Sequence, residues 1–153
     1  MPVLDLKVPP LAVAVFIAML MWLVSSALPA FRFVFPAQRL CTLILAVAGA
    51  VAIALGIASF KRARTTINPT KPGSASSLVV SGVYAFTRNP MYLGLLLVMA
   101  GWAVFLSNVL AFFFLPAFVL YMNRFQIEPE ERALTARFGQ EFIAYKSRAR
   151  RWL

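Results

Sequence analysis

The sequence predicts an all-α integral membrane protein with about four transmembrane helices, the last two a helical hairpin, followed by a C-terminal amphipathic helix. Two observations carry this. Of 153 residues, 61% are hydrophobic and 13% charged, where soluble domains are roughly half apolar and a quarter charged. The apolar residues also gather into three charge-free stretches, 8–31, 40–60 and 89–123, each long enough for a span of about 20 residues.

The first span, about 11–29, starts after Pro9-Pro10 and ends near Pro29, because proline suits the first turn of a helix and stops it elsewhere. It lacks the basic leader and small-residue cleavage site of a signal peptide and is read as a retained span. The second, about 40–60, is alanine-rich. Its Gly49 and Gly56 share one face and permit close approach of another helix. Cys41, the sole cysteine, excludes an intrachain disulfide and any thiol metal or redox motif.

The stretch 89–123 would be ~50 Å long as one helix, well beyond the ~30 Å hydrocarbon core, so it must turn back. Ser107-Asn108 is the only polar pair near its middle. The expected hairpin arms are about 91–106 and 109–124, with Pro116 kinking the second. Between the second span and this hairpin, 61–90 reads as a loop on the cofactor face, turn-rich at Asn68-Pro69 and Lys71-Pro72-Gly73-Ser74. A helix over about 129–149 begins at Pro129-Glu130-Glu131 and carries Leu134, Phe138, Phe142 and Tyr145 at helical spacing among cations, which reads as an interfacial amphipathic helix. The whole, 1–153, reads as a single membrane domain.

Net charge is +10, from 15 Lys and Arg against 5 Asp and Glu. The cations cluster in 61–88 and 124–151, which the positive-inside rule places together on the cytoplasmic side with both termini, the expected setting being a bacterial inner membrane. Membrane lipids with anionic headgroups are the natural partners of such a face. A nucleic-acid partner would need the cations on a soluble surface with aromatic platforms, and none is expected. The chain has no histidine, which removes the commonest general base and metal ligand; no metal site is expected. Soluble nucleotide-binding glycine motifs are absent as well.

Special residues concentrate in two places. In 82–94 an Arg88-Asn89-Pro90 corner opens a membrane helix, whose free N–H groups would hold a carboxylate or phosphate; the plainer reading is that Arg88 snorkels and Asn89-Pro90 only starts the helix. Glu130-Glu131 sit where acidic residues complement a helix dipole. Both segments flank one membrane face, one offering cations and donors, the other carboxylates for an ammonium or ribose hydroxyls, a combination suited to a zwitterionic, nucleoside-bearing cofactor.

The runs Ser81-Gly82-Val83-Tyr84 and Thr87-Arg88-Asn89-Pro90-Met91-Tyr92-Leu93-Gly94 are followed by Pro129-Glu130-Glu131-x-x-Leu134, Phe138-Gly139, Tyr145 and Arg151-Trp152. In order and spacing they resemble the isoprenylcysteine carboxyl methyltransferase and phospholipid methyltransferase superfamily. The resemblance implies S-adenosylmethionine as cofactor, with Tyr84, Arg88, Asn89, Tyr92, Gly94, Glu130 and Glu131 as its candidate contacts. It also implies a lipophilic or lipidated methyl acceptor, isoprenylcysteine-carboxylate-like or phospholipid-like. Many members have histidine where this chain has Asn89, and asparagine can bind but cannot titrate. Methyl transfer to a carboxylate needs alignment and no base; an amine or thiol needs a proton sink, for which the glutamates and tyrosines are the candidates. Glu131 and Arg124 are the candidate catalytic residues, Arg124 as orienter of an anionic acceptor. Two other readings stay open: a nicotinamide-dependent membrane reductase related to sterol reductases, and a non-catalytic membrane accessory protein. The acceptor's identity and the oligomeric state are not legible.

Overall fold

The computed structural model describes residues 5–65 and 76–153. The turn-rich segment read at 68–74 lies outside the described residues. Helix α1 (Pro10–Ala27) opens on proline, as its sequence requires, and is followed by a 3-10 turn at Pro29–Phe31. Helix α2 (Gln38–Arg62) ends in Lys61 and Arg62, cations that favour the negative end of its dipole. Helix α3 (Pro90–Leu106) runs antiparallel to α2, so that Gln38 Nε2 donates to the Phe105 carbonyl (3.0 Å) at one end while Gly56 meets Met91 at the other.

The seam between α2 and α3 is a backbone contact. A Cβ on Gly49 would stand 2.6 Å from the Gly94 carbonyl oxygen, and one on Gly94 would stand 2.6 Å from that of Gly49. Close approach therefore requires glycine on both sides, the arrangement expected of small residues in membrane helix pairs. The partner of Gly49 and Gly56 is thus α3 of the same chain.

The hairpin turns at the polar pair. Ser107 adopts a left-handed conformation (φ +49°), and Asn108 caps the next helix by accepting from the Leu110 N–H (3.0 Å) while donating to the Leu28 carbonyl (2.9 Å). The returning arm is α4 (Val109–Phe112) and α5 (Phe114–Tyr121). Pro116 lacks the N–H that would bond the Phe112 carbonyl and its ring crowds that carbonyl, which accounts for the break at Phe113. A π-helical segment, Met122–Ile127, then leads without interruption into α6 (Glu128–Phe138). The rod Val109–Phe138 has 30 residues, about 45 Å at 1.5 Å each. That exceeds the ~30 Å hydrocarbon core, so its charged part, from Arg124 onward, projects from the membrane face.

Gly139 (φ +52°) separates α6 from α7 (Gln140–Arg148), so the continuous C-terminal helix expected over 129–149 is two helices meeting at a glycine. The apolar stripe read as lipid-facing turns inward instead: Phe142, Tyr145 and Ala149 are buried against Leu78, Leu134 and Phe138. The main core lies elsewhere, around Met21 of α1, Ala103 of α3, Phe118 of α5 and Met122. The outer face of α2, with Leu40, Leu43, Ile44, Val47, Val51 and Leu55, is exposed, as a face solvated by lipid should be. Among the described residues there is no strand, only isolated bridges pairing Arg32 with Asn108 and Thr87 with Arg150. The architecture is the predicted all-α membrane fold.

Candidate functional site

Beyond the end of α2 that bears Lys61 and Arg62, and at the start of α3, a pocket forms where five segments meet. Phe60 of α2, Leu78 and Val79, the 84–92 corner, the start of α6 and the inner side of α7 line it. Its cavity volume is about 80 Å³. Tyr84, Arg88, Asn89, Tyr92, Glu130 and Glu131 all contribute to the wall, although some forty residues separate the two sequence runs.

The corner itself is built by proline. Pro90 starts α3 and is tolerated there because its missing N–H is one of the first-turn donors that have no intrahelical partner. The chain before it is held by Thr87 Oγ1, which accepts from the Asn89 N–H (3.2 Å), and by the C-terminal tail. Arg88 N–H donates to the Arg150 carbonyl (2.8 Å), Arg150 N–H to the Phe86 carbonyl (3.3 Å), and Asn89 Nδ2 to the Arg151 carbonyl (2.8 Å). The side-chain amide of Asn89 is therefore engaged in anchoring the tail.

The two glutamates have different surroundings. Glu131 is buried and gripped by three cations: Arg88 Nη2 donates to Oε1 (3.0 Å), Arg151 Nη2 to Oε2 (2.9 Å) with its Nε on Oε1 (3.3 Å), and Lys146 Nζ lies 3.3 Å from Oε2. Burial alone would raise its carboxyl, but the hydrogen bonds and charges of Arg151 and Arg88 outweigh this and hold it below its usual range. Among the described residues, no cation touches Glu130, one residue earlier. Its Oε2 accepts from the Tyr92 hydroxyl (3.1 Å), which in turn accepts from Gln126 Nε2 (3.3 Å). Burial, reinforced by the neighbouring Glu131 charge, outweighs the Tyr92 hydrogen bond and pushes the Glu130 carboxyl up to about 7.

Arg88 ties the corner to α7 through Nη1, which donates to the carbonyls of Lys146 (3.1 Å) and Ala149. Its Nε is buried without a protein partner, an open donor in the pocket wall. Tyr145 of α7 donates to the Tyr84 carbonyl (2.7 Å), and Phe60 meets the Tyr84 ring edge-on (5.4 Å). The π segment contributes Gln126 to the Tyr92 pair and Asn123, whose Oδ1 accepts from Trp152 Nε1 (2.9 Å). A π turn widens the helix and shifts its phase, and such segments recur at functional sites.

Two of the residues singled out in the sequence stand apart. Gly94 is in the α2–α3 seam, one turn below the pocket, where its role is close packing. Arg124 is on the exposed surface, 3.7 Å from Glu128, and does not line the cavity. Lys146, Arg151 and Gln126 belong to the site yet were not singled out. The terminal Arg151-Trp152 pair was the one signal pointing to any of them, and nothing local in the sequence couples Arg151 to a carboxylate twenty residues earlier. Among the described residues no cluster of metal-ligating side chains occurs.

A family model for phospholipid methyltransferases matches residues 37–141. The chain is 30% identical over 118 residues to the protein-S-isoprenylcysteine O-methyltransferase of Saccharomyces cerevisiae, a match covering 73% of this chain and 48% of the yeast protein, so the chain spans about half that relative's length. It is 46% identical over 63 residues to an uncharacterised protein of Haemophilus influenzae, which covers 41% of this chain and 100% of that protein. No solved structure matches it.

Proposed function

The chain belongs to the phospholipid methyltransferase family, and on that premise we propose that it is a membrane methyltransferase that uses S-adenosylmethionine to methylate a lipophilic acceptor from the bilayer. The observation that carries this reading is the convergence of Tyr84, Arg88, Asn89, Tyr92, Glu130 and Glu131 on one pocket at the cation-rich face.

The donor set suits the cofactor. Arg88 Nε, buried and unpartnered, would take its carboxylate, and Glu130 its ammonium or ribose hydroxyls. The rings of Phe60, Tyr84 and Tyr92 supply apolar walls for the adenine. Once bound, the cofactor supplies an electrophilic methyl group on sulfonium. Glu131 serves as the organiser of this site: with Arg88, Lys146 and Arg151 around it, it fixes the guanidinium of Arg88. For a carboxylate acceptor alignment suffices. For an amine or thiol, Glu130, whose carboxyl is pushed up to about 7, is placed to take the proton. Arg124, outside the pocket, would meet an anionic acceptor group at the membrane surface. The helices act as one membrane domain, with the pocket and both termini on the cytoplasmic side of a bacterial inner membrane, the arrangement favoured by the distribution of cations.

Calorimetric titration of the detergent-purified protein with S-adenosylmethionine and, separately, NADPH tests the reading. Saturable binding of the first, lost in an Arg88→Ala, Glu130→Ala double variant, is expected. Saturable binding of NADPH alone would transfer the site to a reductase, and binding of neither by folded protein would favour an accessory role.

A further inference from the structure

The pocket cavity of about 80 Å³ is well below the ~300–1,000 Å³ of sites that hold drug-sized ligands. A ligand bearing a nucleoside cannot enter unless part of the wall moves. Four of its walls are Phe60 of α2, the 77–79 segment, the 84–92 corner and the start of α6. The fifth, α7, is attached differently.

Its apolar contacts, Phe142, Tyr145 and Ala149 on Leu78, Leu134 and Phe138, form a cluster separate from the main core, which the chain beyond α7 reaches only at Trp152. At its N-terminal end Gly139 has φ +52° and ψ −124°, a backbone conformation open to glycine alone. A Cβ there would meet nothing within 4 Å, so the glycine answers a conformational need and not a packing one. At the other end, Arg151 reaches back across the hinge to Glu131 on α6 with two nitrogens, 2.9 and 3.3 Å from the carboxylate oxygens. The Arg151 side chain remains 35% exposed, so water can compete for it.

We propose that α7 is a lid over the pocket, hinged at Gly139 and latched by Arg151 on Glu131. Opening swings Phe142 and Tyr145 away and releases the Tyr145 bond to the Tyr84 carbonyl, together with the bonds of Arg88 Nη1 to the Lys146 and Ala149 carbonyls and the pairing of the 150–151 backbone with the 86–89 corner. Closing brings Arg151 and Lys146 onto Glu131, which draws Arg88 Nη2 into place. Arg151 is thus a positioning residue, acting on the pocket through Glu131. The need for opening and the ligand retained rest on the cofactor reading above; the hinge and the latch are read from the geometry of Gly139, Arg151 and Glu131.

The test measures S-adenosylmethionine dissociation by stopped flow and amide hydrogen exchange on the full chain in detergent, for wild type, Arg151→Ala, Arg151→Lys and the surface control Glu141→Gln. Arg151→Ala is expected to release the cofactor about 10- to 100-fold faster, as loss of a charge-assisted hydrogen bond implies. Its amides over 140–150 should exchange faster while those of α1 to α3 stay at wild-type rates. Arg151→Lys, keeping charge without the two-pronged geometry, should fall between, and Glu141→Gln should match wild type. Wild-type release and wild-type α7 exchange in Arg151→Ala would overturn the proposal. If Arg151→Ala exchanges everywhere, it is unfolded, and Arg151→Lys decides by the same two readouts. If wild type binds no S-adenosylmethionine, the cofactor reading fails, and exchange alone decides on the lid: faster in α7 only supports it, unchanged sinks it.

Discussion

Glu130 and Glu131 show how far one position along a helix can separate two identical side chains. Glu131 has three cations around it and a lowered pKa; Glu130 has a phenol and an apolar wall and a raised one. The two give stability of opposite pH dependence. The folded-state pKa of Glu130 lies above its unfolded value, so the folded protein holds the extra proton; its contribution is complete below about pH 4.5 and lost as pH rises through about 7. For Glu131 the contribution is present above its unfolded value and lost as pH falls below it. Melting temperature in detergent is therefore expected to fall between pH 5 and 7.5, and Glu130→Gln should flatten that fall. An equal slope in wild type and variant would assign the effect elsewhere. Sequence alone offered both glutamates for cofactor contact and Glu131 for catalysis, because the pair is visible but its partners are not. Arg88 is legible as a site residue from its Asn-Pro neighbours, whereas Lys146 and Arg151 depend on a hinge that folds the chain back.

At the scale of elements, the hairpin was legible because 35 residues without a charge exceed the membrane thickness and only one polar pair lies near their middle. The break near Pro116 followed from the missing N–H. The glycine pair on α2 was legible as a site of close approach, but its partner was not, since Gly94 on α3 sits among residues that also resemble a cofactor motif. The structure separates packing from binding at this point, and a single substitution checks it. In Gly94→Ala the new methyl would lie 2.6 Å from the Gly49 carbonyl oxygen and from Ile53 Cγ1; a backbone oxygen cannot rotate away, so the helices must part. Overpacking of this kind costs about 1–3 kcal/mol. The variant should melt lower than wild type while its folded fraction binds cofactor with near wild-type affinity. Unchanged melting with lost binding would return Gly94 to the site.

For the whole molecule, charge and hydropathy were enough to predict an integral membrane protein with a basic face, and the described residues place the pocket at that face. What could not be read was the enclosure of the pocket, which needs α7 folded over it and the tail paired with the 86–89 corner. The proposed orientation has a direct check in the sole cysteine. Cys41, in the first turn of α2, lies at the end of the molecule opposite the pocket. A membrane-impermeant maleimide added to spheroplasts should label it, whereas Ser147→Cys in a Cys41→Ser background should be labelled only in inside-out vesicles. The reverse pattern would invert the topology.

The π segment Met122–Ile127 bears on how this protein can change over time. Each residue added to or removed from a helix rotates everything beyond it by about 100°. Between the buried Phe118, packed in the core, and Glu130, bonded to Tyr92, the chain is therefore a counted interval. A π turn holds one residue more than an α turn, so a one-residue deletion that restored regular α turns at Met122–Ile127 would leave Glu130 and Glu131 near their present phase, whereas a deletion with the widened turn kept would rotate both by about 100° and out of the pocket. Length in this interval is therefore tied to the widened turn.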